Sequence, residues 1–208
     1  MRSQKAEPSG LKTQQILRAA CEVFLAQGYE GASVDDIVRR AGVSKPTLYA
    51  RFPEKRALFV AVVRHVCGEE ANRVFELPPA THGLRAALIA VGINYLSLVL
   101  SPLAQRMYRM VISEVERIPE VGKVFYESGP LLGSQRIAAL LEAAITRGEL
   151  AAGDPLFAAQ QFIELCRTDL LYKVYFGLQE RATSEEIEKA ATAATDTFLA
   201  AYGQQPKN

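Results

Sequence analysis

SVDDIVRRAGVSKPTLYARFPEKRALF, Ser33–Phe59, is the stretch whose reading decides the fold. Ser33 stands where an N-cap belongs, and Asp35 and Asp36 follow in the first helical turn, where carboxylates favour the positive end of the helix dipole. Val34, Ile37, Val38 and Ala41 then make one apolar stripe at helical spacing. Gly42 supplies a sharp turn and Ser44 caps again. A short helix from Lys45 to about Arg51 is stopped by Phe52 and Pro53. Two short amphipathic helices joined by a glycine turn, the second with a polar and basic outer face, read as a helix-turn-helix. A helix of about seven residues is roughly 10 Å long and fits a DNA major groove about 12 Å wide. Leu48 and Phe52 are expected to hold it against Val34, Ile37 and Val43, leaving Lys45, Pro46, Thr47, Tyr49 and Arg51 to face outward.

Upstream, a helix is expected from about Gly10 to Gln27, with Ile16, Leu17, Ala20, Phe24 and Leu25 on one face and Gly28 as a left-handed cap. Residues 1–9 read as an arm. Downstream, Pro53 and Glu54 open a longer helix carrying Leu58, Val62, His65, Val66 and Glu69 until Pro78 and Pro79. Further helices are expected near 83–100, 102–117, 120–148, 154–176 and 184–203, with Gly129 and Pro130 kinking or breaking the third of these. No run of alternating β-branched residues asks for a sheet, so the fold class is all-α. The last helix puts Ile187, Ala191, Ala194, Phe198 and Tyr202 on one stripe. With Phe162, Ile163, Leu170, Val174 and Tyr175, this is more apolar surface than one helical layer should expose, and a homodimer through the helices near 154–176 and 184–203 would bury it.

Composition fits a globular chain of 208 residues, 49% hydrophobic and 23% charged. The net charge of +1 hides an asymmetry: residues 1–60 hold 10 Lys and Arg against 6 Asp and Glu, and the remainder holds 14 against 17. Cys21, Cys67 and Cys166 match neither a disulfide framework nor a zinc pattern, which points to a reducing, cytoplasmic setting. The start MRSQKAEPSGLKTQ has no apolar signal region. The longest apolar run, Leu88–Leu100, has 13 residues where a membrane span needs about 20, so it reads as a buried core helix and no membrane association is expected.

The string GYEGASVDDIVRRAGVSKPTLYARFPEKRALF, Gly28–Phe59, with the amphipathic helix before it, resembles the TetR/AcrR family of transcriptional regulators. The later string RMYRMVISEVERIPEVGKVFYESGP, Arg106–Pro130, resembles the ligand-domain type of the AefR-like branch. The resemblance implies an N-terminal three-helix helix-turn-helix domain, placed at residues 1–55 with its arm. It also implies a larger C-terminal helical ligand-binding and dimerisation domain, at 56–208. Its members are cofactor-free regulators that bind a palindromic double-stranded operator as dimers and release it on binding a small effector. Carried onto this chain, Lys45, Pro46 and Thr47 approach base edges, Thr47 reaching a thymine methyl or a phosphate. Tyr49, Arg51 and Lys55 match positions used on phosphates, Ser33 and Ser44 sit at helix N-termini, and Thr13 and Arg40 are further phosphate candidates. Each charged residue here also has an ordinary reading as a solvated surface group.

In the middle of the chain, Tyr95, Met107, Tyr108, Met110, Phe125 and Tyr126 suit either an apolar cavity or plain core. Glu114 shares a helical face with Met107, Met110 and Val111, and Arg167 is also set among apolar neighbours. Two readings stand: a small, mostly hydrophobic effector contacted by Tyr95, Met107, Met110, Val111, Glu114, Phe125 and Arg167, or an internal ion pair. His65 and Glu69 have a metal-compatible spacing with nothing to complete the site, and no nucleophile or phosphate-cradling motif recommends catalysis. The alternatives to a ligand-responsive repressor are an all-α enzyme or carrier, and a regulator whose C-terminal domain recruits a protein.

Overall fold

Glycine and proline punctuation sets the element boundaries in the computed structural model, which describes residues 8–74, 83–151 and 153–204. The helices are α1 (Pro8–Gly31), α2 (Val34–Ala41), α3 (Lys45–Tyr49), α4 (Lys55–Val74), α5 (Gly83–Val99), α6 (Pro102–Glu114), α7 (Pro119–Tyr126), α8 (Leu132–Thr146), α9 (Pro155–Tyr175) and α10 (Ser184–Tyr202). All-α is therefore the observed class. Residues 1–7 of the expected arm and the stop at Pro78 and Pro79 lie outside the described residues, and α1 begins at Pro8, inside the stretch expected as arm.

Local chemistry explains the boundaries that position the site. Gly28 has φ 71° and ψ 173°, not the left-handed cap expected. This conformation suits glycine alone, and the chain makes one more turn before Ala32. Ser33 Oγ accepts the Asp36 N–H at 3.1 Å as N-cap of α2. Gly42, at φ 65° and ψ 33°, is left-handed at its C-terminus, where Val43 N–H closes onto Val38 O at 3.1 Å. Between α7 and α8 the expected kink is a π-helical turn, Glu127–Leu131, because Pro130 has no N–H for the helical ladder.

The chain packs as two compact units. Of the described residues, those within 1–68 and 106–128 form the first, and those within 69–105 and 129–208 the second. The packing units thus divide the chain differently from the division expected at 55/56: the helix-turn-helix shares a core with most of α4, most of α6 and α7. That core buries Ile16, Leu17, Ala20, Val23 and Phe24 of α1 with Ile37, Leu48, Phe52, Leu58, Phe59, Val62 and Val63. Met107, Met110 and Val111 of α6 and Val121 and Val124 of α7 belong to the same cluster. Phe24, Tyr29 and Phe59 form an aromatic knot with Phe59 centroids 5.2 and 4.9 Å from the other two.

In the second unit α10 packs on α5 and α9, and α8 on α9. The apolar run Leu88–Leu100 is the buried core helix expected of it, with Leu88, Val91, Tyr95 and Leu96 inside. Gly92 allows a close approach: a Cβ there would stand 2.9 Å from Ala191 Cβ and 3.3 Å from Cys166 Sγ. The stripes expected to need a second copy to cover them are already covered within the chain. Phe162, Ile163, Leu170, Val174, Ala191, Ala194 and Phe198 are buried within the unit, and Tyr175, Ile187 and Tyr202 pack on that core, because α5 and α8 cover the stripes. The exposed apolar side chains of α9 and its end are Phe157, Tyr172, Phe176 and Leu178. Among the described residues, no single helix is long and apolar enough to cross a membrane.

Candidate nucleic-acid interface

The five residues of α3 separate into an anchor and an outer face. Leu48 is fully buried, while Lys45, Pro46 and Tyr49 are exposed and Thr47 is half-buried. The helix is held at its start by Ser44, whose Oγ accepts Thr47 N–H at 3.3 Å and lies 2.9 Å from Thr47 Oγ1. Ser33 and Ser44 thus act as N-caps, and each side chain already serves its own helix.

Lys45 reaches back across the glycine turn. Its Nζ lies 2.7 Å from Asp35 Oδ1, with both side chains largely in solvent, and this hydrogen-bonded pairing raises the lysine pKa. Asp36 is used differently: it pairs with Arg39 and takes a 3.5 Å hydrogen bond from Gln27. Arg40 pairs with Glu22 of α1 at 2.7 Å, its side chain 58% exposed. A polar groove lined by Val23, Gln27, Asp36, Arg39 and Arg40 runs beside these pairs.

Two basic residues turn inward. Arg51, expected to face outward, is half-buried: Nε donates to Thr13 Oγ1 at 3.1 Å and Nη1 to Thr47 O at 3.2 Å. The acceptors offered by α1 and by the open end of α3 draw it in, and Thr13 is thereby its partner. Lys55 Nζ donates to Glu30 O at 3.1 Å and Ala32 O at 3.0 Å, and sits 4.7 Å over the Tyr29 ring. It fastens the segment that leads into α2. Asp35 and Tyr29, which the sequence reading gave no part in the site, are therefore the side chains that Lys45 and Lys55 meet.

The expected effector residues fall into two sets. Tyr95 and Arg167 meet in the second unit: Arg167 Nε donates to the buried Tyr95 hydroxyl at 2.5 Å and Nη1 to Glu164 at 2.6 Å. Burial pushes the Tyr95 hydroxyl far above its ordinary pKa, with the arginine opposing. Met107, Met110 and Val111 are buried in the core of the first unit, with Phe125 packed against it. Glu114, also buried there, stands 3.7 Å from Arg117, whose guanidinium pairs with Glu30 as well. Glu114 and Arg167 each have a charged partner within their own unit, Arg117 for the first and Glu164 for the second. Tyr108 and Tyr126 are exposed.

Residues 16–62 match the family of bacterial regulatory proteins described as tetR, and residues 86–204, more than half of the chain, match the AefR-like transcriptional repressor C-terminal domain. The HTH-type transcriptional activator FasR of Mycolicibacterium smegmatis is 55% identical over 53 residues, which is 25% of this chain and 24% of that protein. The HTH-type transcriptional regulator SrpR of Pseudomonas putida is 29% identical over 198 residues, covering 93% of this chain and 86% of SrpR. The solved structure of the flavonoid-responsive regulator FrrA is 36% identical, covers 95% of this chain and 100% of its own, and superposes with a TM-score of 0.82.

Proposed function

Because the chain belongs to the TetR family of transcriptional regulators, which bind DNA and are not enzymes, we propose that it is a ligand-responsive repressor, binding a palindromic operator as a homodimer. The observation that carries this reading is α3 itself, with Leu48 fully buried and Lys45, Pro46 and Tyr49 presented outward. Lys45, Pro46 and Thr47 meet base edges. Tyr49 and Arg40, with the capped helix starts at Ser33 and Ser44, meet phosphates, while Arg51 and Lys55 brace the motif from within. Thr47 contributes its methyl, since its hydroxyl is engaged by Ser44.

Repression is supported by the kind of C-terminal domain matched, described as that of a transcriptional repressor. The homodimer is supported by Phe157, Tyr172 and Phe176, large apolar side chains left in solvent on α9 and at its end. Two copies of α3 reach successive major grooves when about 34 Å apart, so the operator repeats that spacing in its symmetry. The protein acts where its operator is, in the cytoplasm.

The effector is a small, mostly hydrophobic molecule, and the flavonoid response of FrrA makes polyphenolic aromatics the first class to try. Tyr95 and Arg167 offer such a molecule a polar handle among apolar side chains. An effector that prefers the conformation unable to hold DNA lowers operator affinity by its differential binding to the two states.

Selection of bound duplexes from a random pool by the full chain, followed by titration of the enriched duplex with and without a flavonoid panel at fixed salt, tests this. A two-fold symmetric duplex released by a panel member supports the reading. Failure to enrich any duplex overturns the DNA-binding role, and a ligand that saturates the protein without changing operator affinity overturns the release mechanism. The kinship with the activator FasR within the helix-turn-helix supports a second sign of regulation. Deleting the gene raises target transcription for a repressor and lowers it for an activator.

A further inference from the structure

The two neighbouring carboxylates of α2 diverge in use. Asp36 serves its own helix and α1, through Arg39 and Gln27. Asp35, by contrast, reaches over the Gly42 turn and accepts Lys45 Nζ at 2.7 Å, with the lysine 52% and the aspartate 68% exposed. An ion pair so open to water adds little to stability, and Asp36 alone already places a carboxylate at the start of α2. An acidic side chain beside the reading end of α3 also repels every phosphate that approaches, so it weakens binding to all duplexes unless it does something at one of them.

What the pair controls is where the Lys45 charge goes. Lysine is a flexible point charge that settles on any phosphate within reach. Held by Asp35, it has a partner already, and a phosphate must break that pairing while facing the aspartate. A G·C base pair in the major groove makes a different offer. Guanine O6 and N7 accept from the ammonium, and the N4 amine of cytosine donates to the carboxylate, so both members of the ion pair gain partners at once. We propose that Asp35 is a specificity-determining residue, which withholds Lys45 from phosphates and directs it to a G·C base pair. This rests on the DNA-binding reading above, in which Lys45 lies against base edges.

The test uses the full chain with Asp35→Asn, Lys45→Met and both together, each titrated at several salt concentrations on the enriched duplex and on a scrambled duplex of equal length. The exposed position of both side chains keeps all three variants folded. With Asp35→Asn, the scrambled duplex is expected to bind several-fold tighter, and the logarithmic salt slope to steepen by about 0.9 per protomer as Lys45 gains a phosphate. The ratio of enriched to scrambled affinity is expected to fall by roughly tenfold. Random-pool selection with this variant should lose the G·C preference at one symmetric pair of positions. In the Lys45→Met background Asp35→Asn should leave slope and ratio unmoved.

Tightening of both duplexes by one common factor with an unchanged enriched sequence would overturn the proposal. So would a change in the salt slope or in the enriched-to-scrambled ratio on Asp35→Asn that survives in the Lys45→Met background. Failure of the unmodified chain to enrich any duplex would instead remove the DNA-binding reading beneath it, and the two failures are told apart by that first selection.

Discussion

Lys55 Nζ lies 4.7 Å above the Tyr29 ring while donating to the carbonyls of Glu30 and Ala32, so one cation closes the segment between α1 and α2. Those carbonyls follow the glycine break at Gly28, where no helical partner remains for them. The ammonium supplies the missing donors from the start of α4 and rests its remaining charge on an aromatic face.

Replacement of Lys55 by Met keeps the stem and removes the donors. It is expected to lower unfolding stability by about 1–3 kcal/mol, since it takes the donor from the Glu30 and Ala32 carbonyls, the second in a partly buried bond. Denaturant titration reads this directly. The salt slope of operator binding should stay that of the unmodified chain. A slope reduced by about 0.9 per protomer would mean that Lys55 neutralises a phosphate instead.

Gly92 lets α5 lie against α10 and α9 at a distance no larger residue permits. Gly92→Ala places a methyl 2.9 Å from Ala191 Cβ and 3.3 Å from Cys166 Sγ. Overpacking of this kind costs about 1–3 kcal/mol, which outweighs the better helix propensity of alanine. Ala191→Gly in the same chain opens the space again, so the double variant should be less destabilised than the two single changes added. Additive losses would show that the crossing has slack.

These relationships mark the limit of what the sequence discloses. Ser33, Gly42, Ser44 and Leu48 were legible because caps, left-handed turns and helical spacing depend on neighbours within a few residues. Arg51 with Thr13, 38 positions apart, and Lys55 with Ala32, 23 apart, were not, because each pairing exists only once α1 has packed beside the motif. Helical spacing put Arg51 outward and the family resemblance put Lys55 on a phosphate position, whereas acceptors on the inside hold both. The stripe on α10 was similarly legible as a stripe, but nothing in its periodicity says that α5 rather than a second copy covers it.

Glu186 closes the capping box of α10, accepting Thr183 N–H at 2.8 Å, Gln179 Nε2 at 2.7 Å and the Thr183 hydroxyl at 3.0 Å. The Thr183 N–H first, then the Gln179 amide and the Thr183 hydroxyl, hold its carboxyl below the ordinary value of 4.5. A carboxyl lowered by folding contributes stability that is complete above its unfolded pKa and is lost as pH falls through its folded pKa. The stability difference between the unmodified chain and Glu186→Gln should therefore be constant above about pH 4.5 and shrink below it. Denaturation midpoints between pH 7 and pH 3 check this, and a difference that grows on acidification would contradict it.

Glu114 breaks a rule that the rest of its core obeys. Its Oε2 is buried among the Met110 and Val111 side of α6 without a hydrogen-bond partner among the described residues, and Arg117 at 3.7 Å is shared with Glu30. Burying a carboxylate so poorly compensated costs more than the attraction returns, and apolar replacements of similar volume are often neutral or stabilising by about 1–4 kcal/mol. Glu114→Met is therefore expected to raise the denaturation midpoint. Residues that weaken a fold in this way are commonly held in place by function, so, on the release mechanism proposed above, the same variant should release operator less readily when an effector found by that titration is added. Urea titration of the free protein and effector titration of the operator complex separate the two effects. A Met variant that loses stability would instead make the contact with Arg117 a structural support, with no place for Glu114 in the response.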